Sequence, residues 1–321
     1  MKAVAYSVRK FEHQYLEKAN GKKHDITLVS DPLSPETVLQ AKGNQAVIVF
    51  TNDEVSAPVI EALAALGVKY IITRSTGMDH IDQTAAAHHG CKTANVPSYS
   101  PQAIAEHAVT LAMALNRHII TANRHSHAFD FRNEGLVGFN FAGKTVGLIG
   151  LGATGIAAAQ IFNGLGCKVI ACDPVFPGSA KNIGHVSLQE VLSKSDIISL
   201  HLPLTDSTKY MINADSLQHM KTGVMLINTS RGGLINTADI LVALDQGKIG
   251  YFGMDVYEHE HGLFFEDHHN DQHKDQLLER LLQHSNVIVT PHQAYLTNEA
   301  LQEIADQTIK NLDMFAKSEM V

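Results

Sequence analysis

Cysteine is scarce in this chain of 321 residues: Cys91, Cys167 and Cys172 are all there are, an odd number with no CxxC spacing. That excludes a disulfide framework and a cysteine zinc site, and fits a reducing compartment. Long apolar runs are missing too. No stretch approaches the about 18 apolar residues that a membrane span needs, and the opening MKAVAYSVRKFEH has no apolar core of a secretion signal. A cytoplasmic protein that engages no membrane is expected. Positive charge is in the minority, with 25 Lys and Arg against 33 Asp and Glu, a net charge of -8 and a pI near 6.1. The basic residues form no run, so nucleic acid is not an expected partner. Histidine is abundant, at 19, and several copies gather at His259, His261, His268, His269 and His273. No HExxH or comparable array accompanies them, so a hydrated polar loop is preferred to a metal centre and no metal is expected.

The length exceeds what one core usually serves, and two domains are expected. In the first hundred residues AVAYSV, DITLVS, AVIVF, VKYIITRS and CKTANV are short apolar runs separated by helical patterns such as APVIEALAALG. Strands alternating with helices at this pitch predict a parallel sheet with right-handed crossovers. Pro97 and Pro101 bracket a stiff stretch, and Pro101 stands where a first helical proline belongs, which puts a boundary near residue 100. One long helix is expected over PQAIAEHAVTLAMALNRHIITANRHSH, then an irregular aromatic arm, AFDFRNEGLVGFNFAG. A second series follows in KTVGLIG, KVIACD, DIISLHLP, VMLINTS, YFGMDV and NVIVTPH, near-continuous apolar runs of the kind buried on both faces of a sheet. A last helix, TNEALQEIADQTIKNLDMFAK, is read as returning to the first domain. The expected division is therefore 1–100 with 296–321, and 101–295.

Gly150, Gly152 and Gly155 form G-x-G-x-x-G between an apolar strand and a helix. Such glycines permit a tight turn, let backbone approach a pyrophosphate and allow close packing of helix on strand. The spacing alone is weak; Asp173, about 20 residues on at the end of the next strand, strengthens it by supplying an acceptor for ribose hydroxyls. A carboxylate there repels the additional phosphate of NADP, no arginine follows in PVFPGSAK, and Lys181 is several residues away. NAD is the expected cofactor.

Three further residues stand out: Arg231 in NTSRGGLI, Glu260 in DVYEHEHGLFFED and His292 in VIVTPHQAYL. A guanidinium forks onto a carboxylate, and a histidine backed by a glutamate moves a proton to a neighbouring oxygen. Singly, each has a plainer reading: Arg231 neutralising an acidic loop, Glu260 as solvated surface, His292 capping a strand end. Together, downstream of a dinucleotide fingerprint, they point to a 2-keto acid reductase.

The fingerprint, HLPLTDST, INTSRGGLI, GMDVYEHE and PHQAYLT occur in an order that resembles the D-isomer-specific 2-hydroxyacid dehydrogenases over nearly the whole chain. RSTGMDHID and the LFFEDHHND insertion narrow the likeness to the bacterial fermentative D-lactate dehydrogenases. The resemblance implies two Rossmann-like or flavodoxin-like parallel-sheet α/β domains, a substrate domain made from both chain ends and a central NAD domain, with an active-site cleft between them. It implies that Arg231 binds the substrate carboxylate and carbonyl oxygen, that His292 is the acid and base, and that Glu260 hydrogen-bonds His292. It further implies substrate contacts from backbone amides at Thr76 and Gly77, for which a plain glycine turn is the alternative. Tyr99 and Tyr295 match pocket-shaping aromatics, or are ordinary packing. NAD contacts are implied at Ala153, Thr154, Leu202, Pro203, Thr208, Thr229, Ser230 and Asp255, with Asp255 near the nicotinamide amide and Thr208 standing where asparagine is frequent.

The expected activity is NAD-dependent reduction of pyruvate to D-lactate. Reduction of a bulkier 2-keto acid is the alternative within the class, and an NAD-sensing binding protein the alternative outside it. The resemblance also implies a homodimer or homotetramer associating through the NAD domain, with the arm from Phe129 to Phe141 as a candidate contact.

Overall fold

Twelve short strands, all paired in parallel, build two separate sheets in the computed structural model, which describes residues 1–178, 180, 182–271 and 274–318. Lys181 and His273, named above, lie outside these residues. The chain divides into two units, Met1–Ser100 with Tyr295–Val321, and Pro101–Ala294. Tyr295 thus falls in the first unit.

The first unit has strands β1 (Lys2–Ala5), β2 (Asp25–Leu28), β3 (Ala46–Val49), β4 (Tyr70–Thr73) and β5 (Lys92–Ala94), ordered β2-β1-β3-β4-β5. Helices α1 (His13–Asn20), α2 (Ala57–Ala65) and α3 (Gln83–His88) make three of the crossovers, and a 3-10 turn, Val38–Ala41, lies in the fourth, between β2 and β3. AVIV of β3 and YIIT of β4 are buried along their whole length, which is why they read as unbroken apolar runs rather than as an alternation. The Asp82 side chain accepts the Ala85 N–H and so starts α3, while Gly21, at φ 50°, ends α1 in the left-handed conformation. The C-terminal helix, Asn298–Ser318, belongs to this unit. Its stripe of Ala305, Ile309, Leu312 and Phe315 shares a core with Ala3, Ala5, Ile48 and Ile72, and the Phe315 ring stacks on Tyr70 at 4.4 Å. Each of the larger side chains in that stripe contributes about 1.5–3 kcal/mol of burial.

The second unit holds β6 (Thr145–Ile149), β7 (Lys168–Cys172), β8 (Gly184–His185), β9 (Ile197–Leu200), β10 (Val224–Asn228), β11 (Ile249–Met254) and β12 (Val287–Val289). Their order is β12-β11-β10-β9-β6-β7-β8, so the winding reverses between β6 and β9. Its helices are α4 (Pro101–Asn116), α5 (Ile119–His127), α6 (Ala153–Gly164), α7 (Leu188–Lys194), α8 (Ala214–Gln218), α9 (Thr237–Asp245) and α10 (Gln276–Gln283). Ala105, Ala108 and Ala112 of α4 share a buried cluster with Ala157, Ala158 and Ala159 of α6, small side chains that let two helices approach closely.

One expectation needs correction, and one element was missed. The single long helix is broken into α4 and α5, with His118 left-handed at φ 49° between them. The cause lies at Asn116, whose buried side chain donates to the Phe139 carbonyl at 2.7 Å and accepts the Phe139 N–H at 2.8 Å, fastening the aromatic arm where the helix would have run on. The two-residue β8 was not foreseen, because Gly184 and His185 carry no β-rich run. No helix among the described residues is long and apolar enough to cross a membrane.

Candidate active site

In a parallel sheet of this kind, ligands meet the loops beyond the carboxyl ends of the strands, beside the point where the winding reverses. Every functional residue expected in the second unit follows such an end: Gly150 after β6, Asp173 after β7, Leu202 and Pro203 after β9, Thr229 to Arg231 after β10, Asp255 and Glu260 after β11, and His292 after β12.

His292 and Glu260 are joined. The imidazole Nδ1 lies 2.8 Å from Glu260 Oε1, and Glu260 Oε2 accepts the Tyr257 N–H at 3.0 Å, so each carboxylate oxygen has a fixed partner. With Nδ1 donating to the carboxylate, Nε2 is the position that takes up or gives a proton, and it has no hydrogen-bond partner among the described residues. The Phe265 ring, from the insertion after Glu260, stands 5.9 Å from the imidazole.

The backbone under His292 is unusual. The residue sits at φ 52°, a left-handed conformation uncommon outside glycine, and its N–H donates to the Asp255 carbonyl at 2.7 Å. The Asp255 side chain is fully buried and closes the same turn: Oδ1 accepts the Thr290 hydroxyl at 2.5 Å and the Gln293 N–H at 2.9 Å, and Oδ2 accepts the Ala294 N–H at 2.8 Å. The sequence suggested only a nicotinamide contact for Asp255, whereas this geometry also gives it the task of holding the His292 turn. From α4, His107 Nε2 reaches Thr290 Oγ1 at 3.0 Å and Asp255 Oδ1 at 3.3 Å.

Arg231 begins a short 3-10 turn, Gly232–Leu234, and one guanidinium nitrogen donates to the Ser230 carbonyl at 2.8 Å. Its loop is shaped by Asn228, a residue the sequence reading passed over. The buried Asn228 side chain donates to the Arg231 carbonyl at 2.9 Å and accepts the Ser230 N–H at 3.1 Å. Asparagine bonding its own backbone two residues on was the available signal. Ser230 in turn donates its hydroxyl to the Leu200 carbonyl at 2.7 Å, tying the loop to the end of β9. A Cβ on Gly232 would lie 2.0 Å from the Tyr257 carbonyl carbon and 2.3 Å from Glu258 N, so only glycine lets the Arg231 loop rest on the segment that leads to Glu260.

The glycine loop fits a dinucleotide. Gly150, at φ 94°, admits no Cβ because the His201 carbonyl oxygen would be 2.2 Å away, and a Cβ on Gly155 would meet Gly150 O at 2.3 Å. Gly152 faces open space, and its side of the loop leads into α6, which starts at Ala153 and Thr154 without a side-chain cap. Uncapped N–H groups and a helix N-terminus facing a glycine are what a pyrophosphate requires. Asp173, half-buried, accepts the Leu151 N–H at 2.6 Å and the Val175 N–H at 2.8 Å, fixing the carboxylate against the loop. Two buried polar atoms on the same rim have no partner among the described residues, Thr229 Oγ1 and His201 Nδ1. Burial holds the His201 imidazole down to about 4, so it is neutral. The Thr208 hydroxyl is occupied in a local turn, accepting the Thr205 N–H and donating to the Pro203 carbonyl, both at 2.8 Å.

Of the expected substrate residues in the first unit, Thr76 and Gly77 follow β4, Tyr99 follows β5, and Tyr295 precedes the C-terminal helix. Thr76 Oγ1 donates to the Val96 carbonyl at 2.9 Å, and the Ser75 hydroxyl donates to Gly77 O at 2.7 Å, so the turn after β4 is bound to the end of β5. The buried Tyr295 ring lies 6.5 Å edge-on from Tyr99 and 5.6 Å from Phe50, a third aromatic that the sequence reading did not single out. Desolvation raises the Tyr295 hydroxyl above its ordinary range, with the Glu12 charge adding to the effect. Beneath them Arg74 is fully buried, paired with Glu12 and donating to the Tyr6 carbonyl at 2.6 Å. In the histidine-rich segment His268 Nδ1 pairs with Asp271 at 2.7 Å, and no group of three His, Cys, Asp or Glu among the described residues is placed to hold a metal ion.

Residues 109–294 match the family model described as D-isomer specific 2-hydroxyacid dehydrogenase, NAD binding domain. The chain is 42% identical over 322 residues to a D-lactate dehydrogenase of Escherichia coli, covering 99% of this chain and 98% of that one. Among solved structures it superposes with a TM-score of 0.93 and 43% identity on one described as the pyruvate reductase of Chlamydomonas reinhardtii, covering 99% and 97% of the two chains. It superposes with a TM-score of 0.89 and 29% identity on the D-lactate dehydrogenase of Aquifex aeolicus complexed with NAD and lactic acid, covering 99% and 96%.

Proposed function

The chain belongs to the D-isomer-specific 2-hydroxyacid dehydrogenases, enzymes whose NAD-binding domain its second unit carries, and we propose that within them it is an NAD-dependent D-lactate dehydrogenase working mainly as a pyruvate reductase. The observation that carries this reading is the His292–Glu260 pair at 2.8 Å in the same unit as the Gly150 loop. The relatives named above, a D-lactate dehydrogenase and a pyruvate reductase that this chain matches over nearly its full length, support the small substrate.

NADH, when bound, supplies a hydride to C2 of the keto acid. Backbone N–H groups at Gly152, Ala153, Thr154 and Gly155 hold its pyrophosphate, Asp173 accepts from the adenosine ribose, and Leu202, Pro203, Thr208, Thr229, Ser230 and Asp255 line the remainder. Arg231 forks onto the substrate carboxylate and polarises the carbonyl oxygen, with Thr76 and Gly77 amides as further anion donors. His292 gives its Nε2 proton to that oxygen, and Glu260 stabilises the imidazolium from which the proton leaves. Tyr99 and Tyr295 limit the room beside C3. The reading extends to a cytoplasmic homo-oligomer: the three cysteines are unbridged, and on the arm Phe129, Phe131 and Val137 are 86%, 70% and 83% exposed, apolar surface suited to a second copy.

Steady-state oxidation of NADH over a panel of 2-keto acids tests the proposal. Pyruvate is expected to be turned over fastest, and His292→Ala to lower kcat by about 100-fold or more. Negligible turnover of pyruvate beside rapid turnover of a branched or aromatic acid would replace the lactate assignment by the bulkier one.

A further inference from the structure

Thr290 has one hydroxyl proton, and it is given to Asp255 Oδ1 at 2.5 Å. The 3.0 Å contact between Thr290 Oγ1 and His107 Nε2 therefore has the imidazole as donor, which fixes the proton of His107 on Nε2. The same N–H faces Asp255 Oδ1 at 3.3 Å. A continuous set of donors thus converges on one buried carboxylate: His107 through and beside Thr290, then the backbone N–H groups of Gln293 and Ala294. Those last two directly follow His292, whose left-handed backbone is held by its own N–H on the Asp255 carbonyl. A buried carboxylate short of donors is costly, and the turn around His292 has no glycine to relax into.

We propose that His107 of α4, donating to Thr290 and Asp255, is a positioning residue that holds the turn carrying His292 in its working geometry. It touches neither the reacting atoms nor the His292 ring, and acts only through the Asp255 carboxylate. The inference rests on the reading of His292 as the proton donor.

Kinetics of the full-length protein with NADH and a saturating 2-keto acid decide it. His107→Leu, which keeps bulk and loses the donor, should lower kcat about 10- to 100-fold, the range for a small displacement of a reacting group, with KM for NADH changing less than kcat. His107→Gln, whose amide N–H reaches the same place, should recover most of that loss. Thr290→Val should reproduce the fall and Thr290→Ser restore it, a comparison that stands even where His107→Leu fails to fold. His107→Leu combined with Thr290→Val should be no slower than the slower single variant, since both break one network. Equal kcat in the Leu and Gln variants, equal kcat in the Val and Ser variants, or an additive double variant would overturn the proposal. A His292→Ala enzyme as fast as wild type would instead overturn the reading beneath it, whereas an inactive His292→Ala beside indifferent His107 and Thr290 variants fails this inference alone.

Discussion

Gly232 offers the sharpest test of how the Arg231 loop is placed. Adding one methyl group, Gly232→Ala, puts a carbon 2.0 Å from the Tyr257 carbonyl carbon and 2.3 Å from both Tyr257 O and Glu258 N, where ordinary contact begins at 3.4 Å. All three atoms are backbone, so no side chain can turn aside and the two loops must part. One of them carries Arg231 and the other leads through Tyr257 N to Glu260 Oε2, so the displacement falls between the proposed carboxylate clamp and the proposed acid–base pair. A misplacement of about 1 Å costs on the order of 100-fold in rate, or about 2.7 kcal/mol of transition-state stabilisation. Overpacking adds a stability loss of about 1–3 kcal/mol. The loop proposed to meet the pyrophosphate, at Gly150 to Gly155, follows a different strand, and NADH binding followed by fluorescence should survive. The assay is kcat/KM for pyruvate beside NADH affinity and urea unfolding. Wild-type kcat/KM in a folded Gly232→Ala enzyme would show that the spacing of these loops does not control the chemistry.

Two further outcomes follow from groups on the nucleotide rim. Asp173→Ala leaves the Leu151 and Val175 N–H groups without their acceptor and removes the charge opposing a second phosphate; KM for NADH should rise about tenfold, the effect of one lost hydrogen bond from the ribose to a charged acceptor, and the NADPH to NADH rate ratio should rise with it, both read by steady-state kinetics. An unchanged ratio would remove Asp173 from cofactor choice. His201 has a folded pKa lowered by burial to about 4 against 6.5 when unfolded, so the unfolded chain binds more protons between those values, and the stability present above pH 6.5 is lost as pH falls towards 4. Urea unfolding at pH 7 and pH 4 should show wild type losing about 3 kcal/mol more than His201→Gln across that window, and equal losses would mean that His201 is not held neutral.

What could be read from the sequence was whatever announces itself locally. The glycines at 150, 152 and 155 and the acid at 173 are set by a turn and by the end of the very next strand, about 20 residues on, and Arg231, Glu260 and His292 are recognisable as residue types suited to the task proposed for them. The five strands of the first unit and six of the seven in the second were visible as apolar runs, because parallel strands covered on both faces have little polar interruption. Asp255 closing the His292 turn, Asn228 bracing Arg231 and His107 reaching Thr290 were not visible. Each depends on which strand ends lie side by side: β12 pairs with β11, and β11 with β10, and no spacing along the chain encodes that order. The break at Asn116 escaped for the same reason, since helix periodicity runs through it and the competing acceptor and donor are on Phe139.

The left-handed backbone of His292 sets stability and activity against each other at one codon. Glycine accepts φ 52° without strain and asparagine tolerates it better than most residues, so replacement by either should leave a fold at least as robust while removing the proposed proton donor. A library of variants sorted by heat resistance alone would be expected to accumulate inactive enzymes at this position, and would need a turnover screen in the same round to keep histidine there.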